Sequence, residues 1–195
     1  MPETLLENAR FVCLDTETTG LSPLEGGRIC EIALLASARG QRLASYCTLI
    51  NPQVIMGPEV IKIHGITNEM VAQSPVFEHI APALIDYMQG GVLVCHNADF
   101  DISFLEAEFA NIGLKMPRCI ILDTLKFARC HGRFSRNRLG VVAQELGISS
   151  EGWHRAMADT VMTEKIFYYF LNKFRREGAR TVGDLCGLQT RKGNL

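Results

Sequence analysis

The sequence predicts an α/β fold in which a mixed sheet, antiparallel at first and parallel later, is flanked by helices. Two strand-like segments that follow a short first strand meet at Arg39-Gly40, which indicates an antiparallel hairpin. From residue 75 onward, segments with apolar residues at helical spacing alternate with short apolar runs, which is typical of strands joined by helices. No linker or internal repeat divides the 195 residues, so a single domain is expected.

The antiparallel part of the predicted sheet begins near the N-terminus. Phe11 to Leu14 form a short apolar run that ends at Asp15, and a polar loop rich in Ser, Pro and Gly is expected from there to Gly27. The segments Ile29 to Ala38 and Gln41 to Ile50 both have the composition of strands. Three consecutive strands therefore predict a meander.

The second part of the chain predicts alternating helices and strands. Apolar residues recur with a helical period from Pro75 to Gln89, and Gly90-Gly91 separates this helix from the buried strand Val92 to Cys95. The same reasoning predicts one further strand and four further helices: a helix over Phe100 to Ile112, a strand over Arg118 to Leu122, and helices that begin at Asp123 or cover Leu139 to Leu146 and Ala156 to Phe174.

Composition excludes several classes of protein. Hydrophobic residues make up 47% of the chain, but no apolar run reaches the roughly 20 residues that would cross a bilayer. The N-terminus is polar and acidic and does not resemble a secretory signal, so a cytoplasmic protein is expected. Seven dispersed cysteines form no CxxC pair, which indicates reduced thiols rather than a zinc site. With a net charge of -1, attraction to nucleic-acid phosphates must come from local basic patches or bound cations.

Two pairs of residues and a single aspartate are candidates for a metal site. Asp15 and Glu17 lie two positions apart at the end of a strand, so both side chains are expected on one face. Asp101 follows a buried strand at a helix start, where it could cap the helix or bind metal. His154 precedes Asp159 by five residues across another helix start. Each feature alone is more typical of ordinary surface residues, but four carboxylates and an imidazole together favour Mg²⁺ or Mn²⁺ over zinc.

The residues of this candidate site form three motifs: Asp15-x-Glu17-Thr-Thr-Gly, Asn97-Ala-Asp-Phe-Asp101 and His154-x-Ala-x-x-Asp159. In order and spacing they resemble the three Exo motifs of the DEDDh exonuclease family, which includes the proofreading epsilon subunit of bacterial DNA polymerase III. The intervening segments are similar to the family too: Arg28-Ile-Cys-Glu31-Ile-Ala, Glu59 to Thr67 with its His64-Gly-Ile-Thr, and Asp123-Thr-Leu. The resemblance covers about residues 8–172. It implies a ribonuclease H-like, three-layer fold and one exonuclease domain over residues 1–195, with a short C-terminal tail at 175–195.

The resemblance also implies a two-metal mechanism that releases nucleoside 5′-monophosphates from a 3′ end. Two divalent cations, Mg²⁺ or Mn²⁺, would lie about 4 Å apart. Asp15 would bridge them, Glu17 and Asp159 would complete the tighter site, and Asp101 would act on the looser one. His154 would be the general base that takes the proton from the attacking water.

Five further residues are candidate substrate contacts by the same resemblance. Glu59 and His64 would contact the terminal nucleotide, unless they are a helix-start acid and a buried structural histidine. The loop after the first motif would contact the 3′ end through Thr18 and a base through Leu21. Phe100 would stack on a base, or it belongs to the core.

A basic run lies between the second and third motifs. It contains Arg129, Arg133, Arg136 and Arg138, with His131 among them. These residues could guide a phosphate backbone toward the metals, or they form a solvated loop.

Two alternatives to a DNA exonuclease remain open. RNase T and oligoribonuclease carry the same acids and histidine and trim RNA, but the Thr-Thr-Gly after Glu17 and the His64-Gly-Ile-Thr segment favour DNA over RNA. A non-catalytic module bound to a polymerase is disfavoured, because all five catalytic positions are filled and uncompensated converging acids would be destabilising without metal. Proofreading or repair are the expected roles, and the catalytic subunit of DNA polymerase III is a candidate partner.

Overall fold

A computed structural model describes residues 2–149 and 154–190. Its centre is a five-stranded sheet with the order β3-β2-β1-β4-β5. The strands are β1 (Arg10–Thr18), β2 (Ile29–Ala38), β3 (Gln41–Leu49), β4 (Val92–Cys95) and β5 (Ile120–Asp123). The first three strands pair antiparallel, whereas β4 pairs parallel with both β1 and β5. The predicted mixed sheet, with its meander followed by parallel strands, is therefore confirmed.

Helices cover both faces of the sheet. They are α1 (Pro58–His64), α2 (Asn68–Val71), α3 (Phe77–Met88), α4 (Ala98–Asn111), α5 (Thr124–His131), α6 (Leu139–Glu145), α7 (Ala156–Arg176) and α8 (Val182–Leu188). The five predicted helices correspond to α3 to α7, with ends displaced by at most two residues. The sequence did not predict α1, α2 or α8, which are seven, four and seven residues long. Within the described ranges, no helix is long and apolar enough to cross a membrane.

The alternating side chains of β1 build two cores. Phe11 and Cys13 point into a core shared with α5, α6, α7 and α8. Val12 and Leu14 point into a second core on the opposite face, shared with α3 and α4. Because Asp15 and Glu17 continue the odd-numbered series, they lie on the same face as α7.

The strand that carries the first motif is longer than predicted. β1 does not end at Leu14 but continues to Thr18, so Asp15 and the residues up to Thr18 are strand rather than loop. Its pairing with β2 continues through Glu17↔Glu31, whereas its pairing with β4 ends at Cys13↔Val94. The first-motif carboxylates therefore lie on a rigid strand that extends beyond the end of its parallel neighbour.

The predicted C-terminal tail, residues 175–195, is largely part of the fold. α7 extends to Arg176, and Val182 and Leu185 of α8 are fully buried. After α8, the side-chain amide of Gln189 pairs with the edge of β5: its Oε1 accepts from the Asp123 backbone N–H (2.8 Å), and its Nε2 donates to the Ile121 carbonyl (3.2 Å). Residues 191–195 lie outside the described residues.

Candidate active site

Three carboxylates from two elements converge at one point. Asp15 and Glu17 reach it from β1, and Asp159 reaches it from the first turn of α7. One oxygen from each side chain lies within 4.8 Å of the others. This spacing allows one cation to contact all three carboxylates.

Asp159 carries the observation that best identifies the site as a cation site. Its Oδ1 is buried and has no hydrogen-bond partner among the described residues. A buried polar oxygen nearly always has a partner, so this oxygen is available to a cation. Burial raises the pKa of Asp159 to about 7, although a hydrogen bond with the His154 backbone acts in the opposite direction.

The pKa values of the other two carboxylates of the cluster are raised as well. Burial raises the pKa of Glu17 to about 8, and the nearby charges of Asp159 and Glu31 add to the effect. Burial also holds the pKa of Asp15 well above its usual range, and the negative charges of Asp101 and Asp159 raise it further. Oxygen-only ligands with this charge suit a hard divalent cation, so these residues fit the metals that the resemblance implies.

Asp101 lies beside this cluster and is held by the strand that carries it. It is buried in the first turn of α4, and its Oδ1 accepts from both the backbone N–H (3.0 Å) and the Oγ1 (2.8 Å) of Thr16. Asn97, with a φ of 77°, is the residue that precedes the helix, so Asp101 is not the cap. Burial raises the pKa of Asp101 to about 7 despite the bonds from Thr16.

His154 lies at the start of α7, five residues before Asp159. Its backbone has a φ of 65°, a left-handed conformation that costs energy in a residue with a side chain. Arg155 follows as the N-cap residue of the helix. The sharp turn places His154 at the edge of the carboxylate cluster, where its backbone contacts Asp159.

An ion pair that the sequence did not predict fixes this turn. Glu31 lies directly opposite Glu17 on β2 and is 2% exposed. Its carboxylate accepts from the Arg155 guanidinium (Nη2 to Oε1, 2.6 Å) and from the Ala156 backbone N–H (2.9 Å). The sequence contains one sign of this ion pair: Glu31 is an acid inside an otherwise apolar strand, and such a residue must be paired when it is buried.

Two of the candidate substrate residues lie together beside the first motif. His64, at the end of α1, is buried; its Nδ1 accepts from the Ile66 backbone N–H (3.0 Å), and its ring also hydrogen-bonds the Thr18 backbone. Burial lowers the pKa of His64, so the neutral ring is favoured. Thr18 is buried, and its Oγ1 donates to the Gly20 carbonyl (2.7 Å). Glu59 lies on the first turn of the same helix and is exposed.

The remaining two candidates differ in exposure. Leu21 projects from the loop after β1 and is 84% exposed, so it is open to contact with a base. Phe100 is half-buried and packs against Phe104, with ring centroids 5.0 Å apart. Its ring thus contributes to the core, and only part of it remains accessible.

Comparison with protein families gives one model that spans the site. The RNase_T family model, described as an exonuclease, matches residues 12–167, which include all five motif residues. The DNA polymerase III subunit epsilon of Pasteurella multocida is 36% identical over 169 residues, which are 81% of this chain and 66% of that protein. The 3′-5′ exonuclease DinG of Bacillus subtilis is 33% identical over 172 residues, which are 88% of this chain and 18% of that protein. The chain spans less than two thirds of the length of these relatives.

Solved structures share the fold. Exonuclease X in complex with 5′ overhanging duplex DNA superposes with a TM-score of 0.73 at 24% identity, covering 93% of this chain and 99% of that one. The nuclease domain of 3′hExo, a DEDDh family member bound to rAMP, superposes with a TM-score of 0.73 at 18% identity, covering 84% of this chain and 92% of that one. The ribonuclease H-like fold that the resemblance implied is thus confirmed.

Proposed function

This chain belongs to the RNase_T exonuclease family, a family of hydrolytic enzymes, and we propose that its own reaction is stepwise hydrolysis of DNA from the 3′ end. The products are nucleoside 5′-monophosphates. The observation that carries the proposal is the convergence of three carboxylates, one of which, Asp159, has a buried Oδ1 without a hydrogen-bond partner among the described residues. A non-catalytic module would have no reason to keep such a destabilising cluster.

Asp15, Glu17 and Asp159 would hold the divalent cations, with Asp101 completing the second position. When bound, the cations would make water a better nucleophile and stabilise the negative charge that develops on the phosphate and the leaving 3′ oxygen. The four carboxylates contribute by staying ionised around them. Their rigid placement on β1, α4 and α7 would fix the positions of the cations and, through them, of the scissile phosphate.

His154 would accept the proton of the attacking water, because an imidazole can change its protonation state near neutral pH. The ion pair between Glu31 and Arg155 would hold the turn that carries this imidazole. His64, Glu59, Thr18, Leu21 and Phe100 would contact the terminal nucleotides. Of these, Leu21 has the exposed apolar side chain that stacking on a base requires.

DNA is the preferred substrate in this proposal, and the names of the relatives support it. Relatives over 30% identical include subunits named for DNA polymerase III. Proofreading or repair in the cytoplasm, with the catalytic subunit of that polymerase as a partner, is the corresponding role. RNA trimming is the second candidate, because a structural neighbour of this fold was solved with rAMP.

The experiment uses single-stranded DNA and RNA of one sequence, labelled at either end, with Mg²⁺, with Mn²⁺ or with EDTA. We expect nucleoside 5′-monophosphates to appear one at a time from the 3′ end of DNA, and EDTA to stop the reaction. Faster hydrolysis of RNA than of DNA would identify RNA as the substrate instead. No hydrolysis of either polymer with either cation would overturn the proposed activity.

A further inference from the structure

Part of the basic run lines a pocket close to the carboxylate cluster. Three arginines, Arg129, Arg136 and Arg138, surround a cavity of about 590 Å³ together with His96 and Asn97. We call this cavity the arginine pocket. Arg133, which belongs to the same run, is exposed and does not line it.

The arginine pocket adjoins the edge of the sheet where the acids lie. Asn97 follows β4, a strand parallel to β1, so it lies at the same edge as the end of β1. Asp101 is four residues further along, which is about 6 Å of rise on α4. The Asn97 backbone N–H is itself held by Asp123 Oδ1 at 3.0 Å, at the end of β5.

The wall of the pocket is built from fixed contacts rather than a loose loop. The His96 ring bridges two segments: its Nε2 donates to the Asn137 carbonyl (2.9 Å), and its Nδ1 lies 2.9 Å from Thr124 Oγ1. Burial lowers the pKa of His96, which favours the neutral ring. The bridge ties the loop that carries Arg136 and Arg138 to the end of β4.

The three pocket arginines are not neutralised by an acid among the described residues, in contrast to three arginines elsewhere in the fold. Arg28, Arg42 and Arg155 each bind a buried glutamate. Within the described part of the chain, Arg129, Arg136 and Arg138 make no ion pair, and no acid lines the pocket with them. An unneutralised group of guanidinium groups in a preformed cavity suits phosphate oxygens, which arginine binds in a bidentate manner.

We propose that the arginine pocket binds backbone phosphates of the substrate strand on the 5′ side of the scissile bond. This inference rests on the proposed exonuclease function, since it assigns the pocket to the same strand whose 3′ end lies at the carboxylates. Phosphate contacts of this kind position a strand without reading its sequence. The pocket would therefore favour long strands over short ones.

The test compares substrates with and without upstream phosphates. The 4-nitrophenyl ester of thymidine 5′-monophosphate contains only the scissile phosphate, while a series of oligothymidylates adds phosphates one by one. Arg129→Ala, Arg136→Ala and Arg138→Ala should each lower kcat/KM on long strands about tenfold. Each should also flatten the dependence of log kcat/KM on log salt by about one. Hydrolysis of the ester should keep the wild-type rate.

Arg133→Ala is the matched control, because it removes the same charge from the same loop without touching the pocket. The assignment would be overturned if Arg133→Ala lowered kcat/KM on long strands as much as the pocket variants do. It would also be overturned if the pocket variants lowered kcat/KM equally on the ester and on long strands. Fluorescence anisotropy with labelled oligothymidylate in EDTA measures the pocket independently of turnover. If the wild type binds but never hydrolyses, the proposed function fails while the pocket is still tested: loss of affinity in the three variants alone supports it, and unchanged affinity rejects it.

Discussion

Glu17 and Glu31 lie opposite each other on neighbouring strands, yet the environments of their two carboxylates differ. Glu31 is neutralised by the Arg155 guanidinium and the Ala156 backbone N–H. Glu17 makes no ion pair within the described residues, and its carboxylate clusters with those of Asp159 and Asp15. Glu31 is thus a structural acid with a cationic partner, whereas Glu17 is a proposed metal ligand. Removing an acid of the metal cluster should therefore raise stability and lower activity, whereas breaking the ion pair of Glu31 should lower both.

The largest effect is expected from the acids without a cation partner. Asp15→Asn should lower kcat at least about a thousandfold, because several kcal/mol of metal-supplied stabilisation are lost. The same change should raise the melting temperature in EDTA, since it relieves repulsion among buried acids. Steady-state kinetics and thermal unfolding measure both effects.

The control for this change is Asp99→Asn, in the same stretch of sequence as Asp101. Asp99 is exposed and contacts Lys126 (3.3 Å), so its loss should leave both activity and melting temperature close to the wild type. Normal activity of the Asp15→Asn variant would contradict the assignment of Asp15 as a metal ligand.

The next effect concerns the paired acid. Arg155→Ala should lower the free energy of unfolding by about 2 kcal/mol, because it leaves the buried Glu31 carboxylate without its partner. It should also lower kcat by displacing the turn that carries His154. Arg42→Ala breaks the similar pair with buried Glu164 (2.6 Å) away from the site. It should cost similar stability without loss of kcat, and a matching kcat loss in both variants would show that Arg155 has no special positioning role.

A smaller effect should appear as pH dependence in the absence of metal. Glu17 has a pKa of 4.5 when unfolded and about 8 when folded, so the folded protein retains a proton that the unfolded chain releases. The free energy of unfolding of the metal-free protein should therefore fall as pH rises from 4.5 to 8. Asp101 and Asp159, with pKa values raised to about 7, act in the same direction.

Chemical denaturation in EDTA across this pH range measures the slope. Glu17→Gln should flatten it, and the exposed-acid control Glu78→Gln should not. Saturating Mg²⁺ should reverse the trend, because cations bind the ionised carboxylates and stabilise the fold by mass action. A metal-free protein that grows more stable from pH 4.5 to 8 would contradict the raised pKa values.

The smallest effect is expected at Thr16, which supports Asp101. Thr16→Val removes the Oγ1 donor but keeps the backbone N–H donor, so it should cost about 1 kcal/mol of stability and less than about tenfold in kcat. Thr16→Ser retains a hydroxyl and should restore most of the loss. If the valine variant were as inactive as Asp15→Asn, Asp101 would have a larger role than we assign to it.

Local patterns in the sequence predicted the hairpin, the long helices and the five motif residues. They did not predict that β1 continues to Thr18, because Thr-Glu-Thr has the composition of a loop and only pairing with β2 makes it strand. The Glu31–Arg155 ion pair joins residues 124 positions apart, and such a partner cannot be read from neighbouring residues. The support of Asp101 by Thr16 is long-range in the same sense. Sequence thus predicted the candidate reactive groups, while the groups that position them could be found only from the fold.

The pairing of Gln189 with β5 affects how the sheet can meet other chains. An edge strand with unsatisfied N–H and C=O groups is a template for strand exchange and aggregation. The Gln189 amide satisfies one group of each kind, at Asp123 and Ile121, as the next strand of a sheet would. The Gln189 side chain thus occupies two hydrogen-bonding groups of this edge strand and leaves fewer of them for intermolecular pairing.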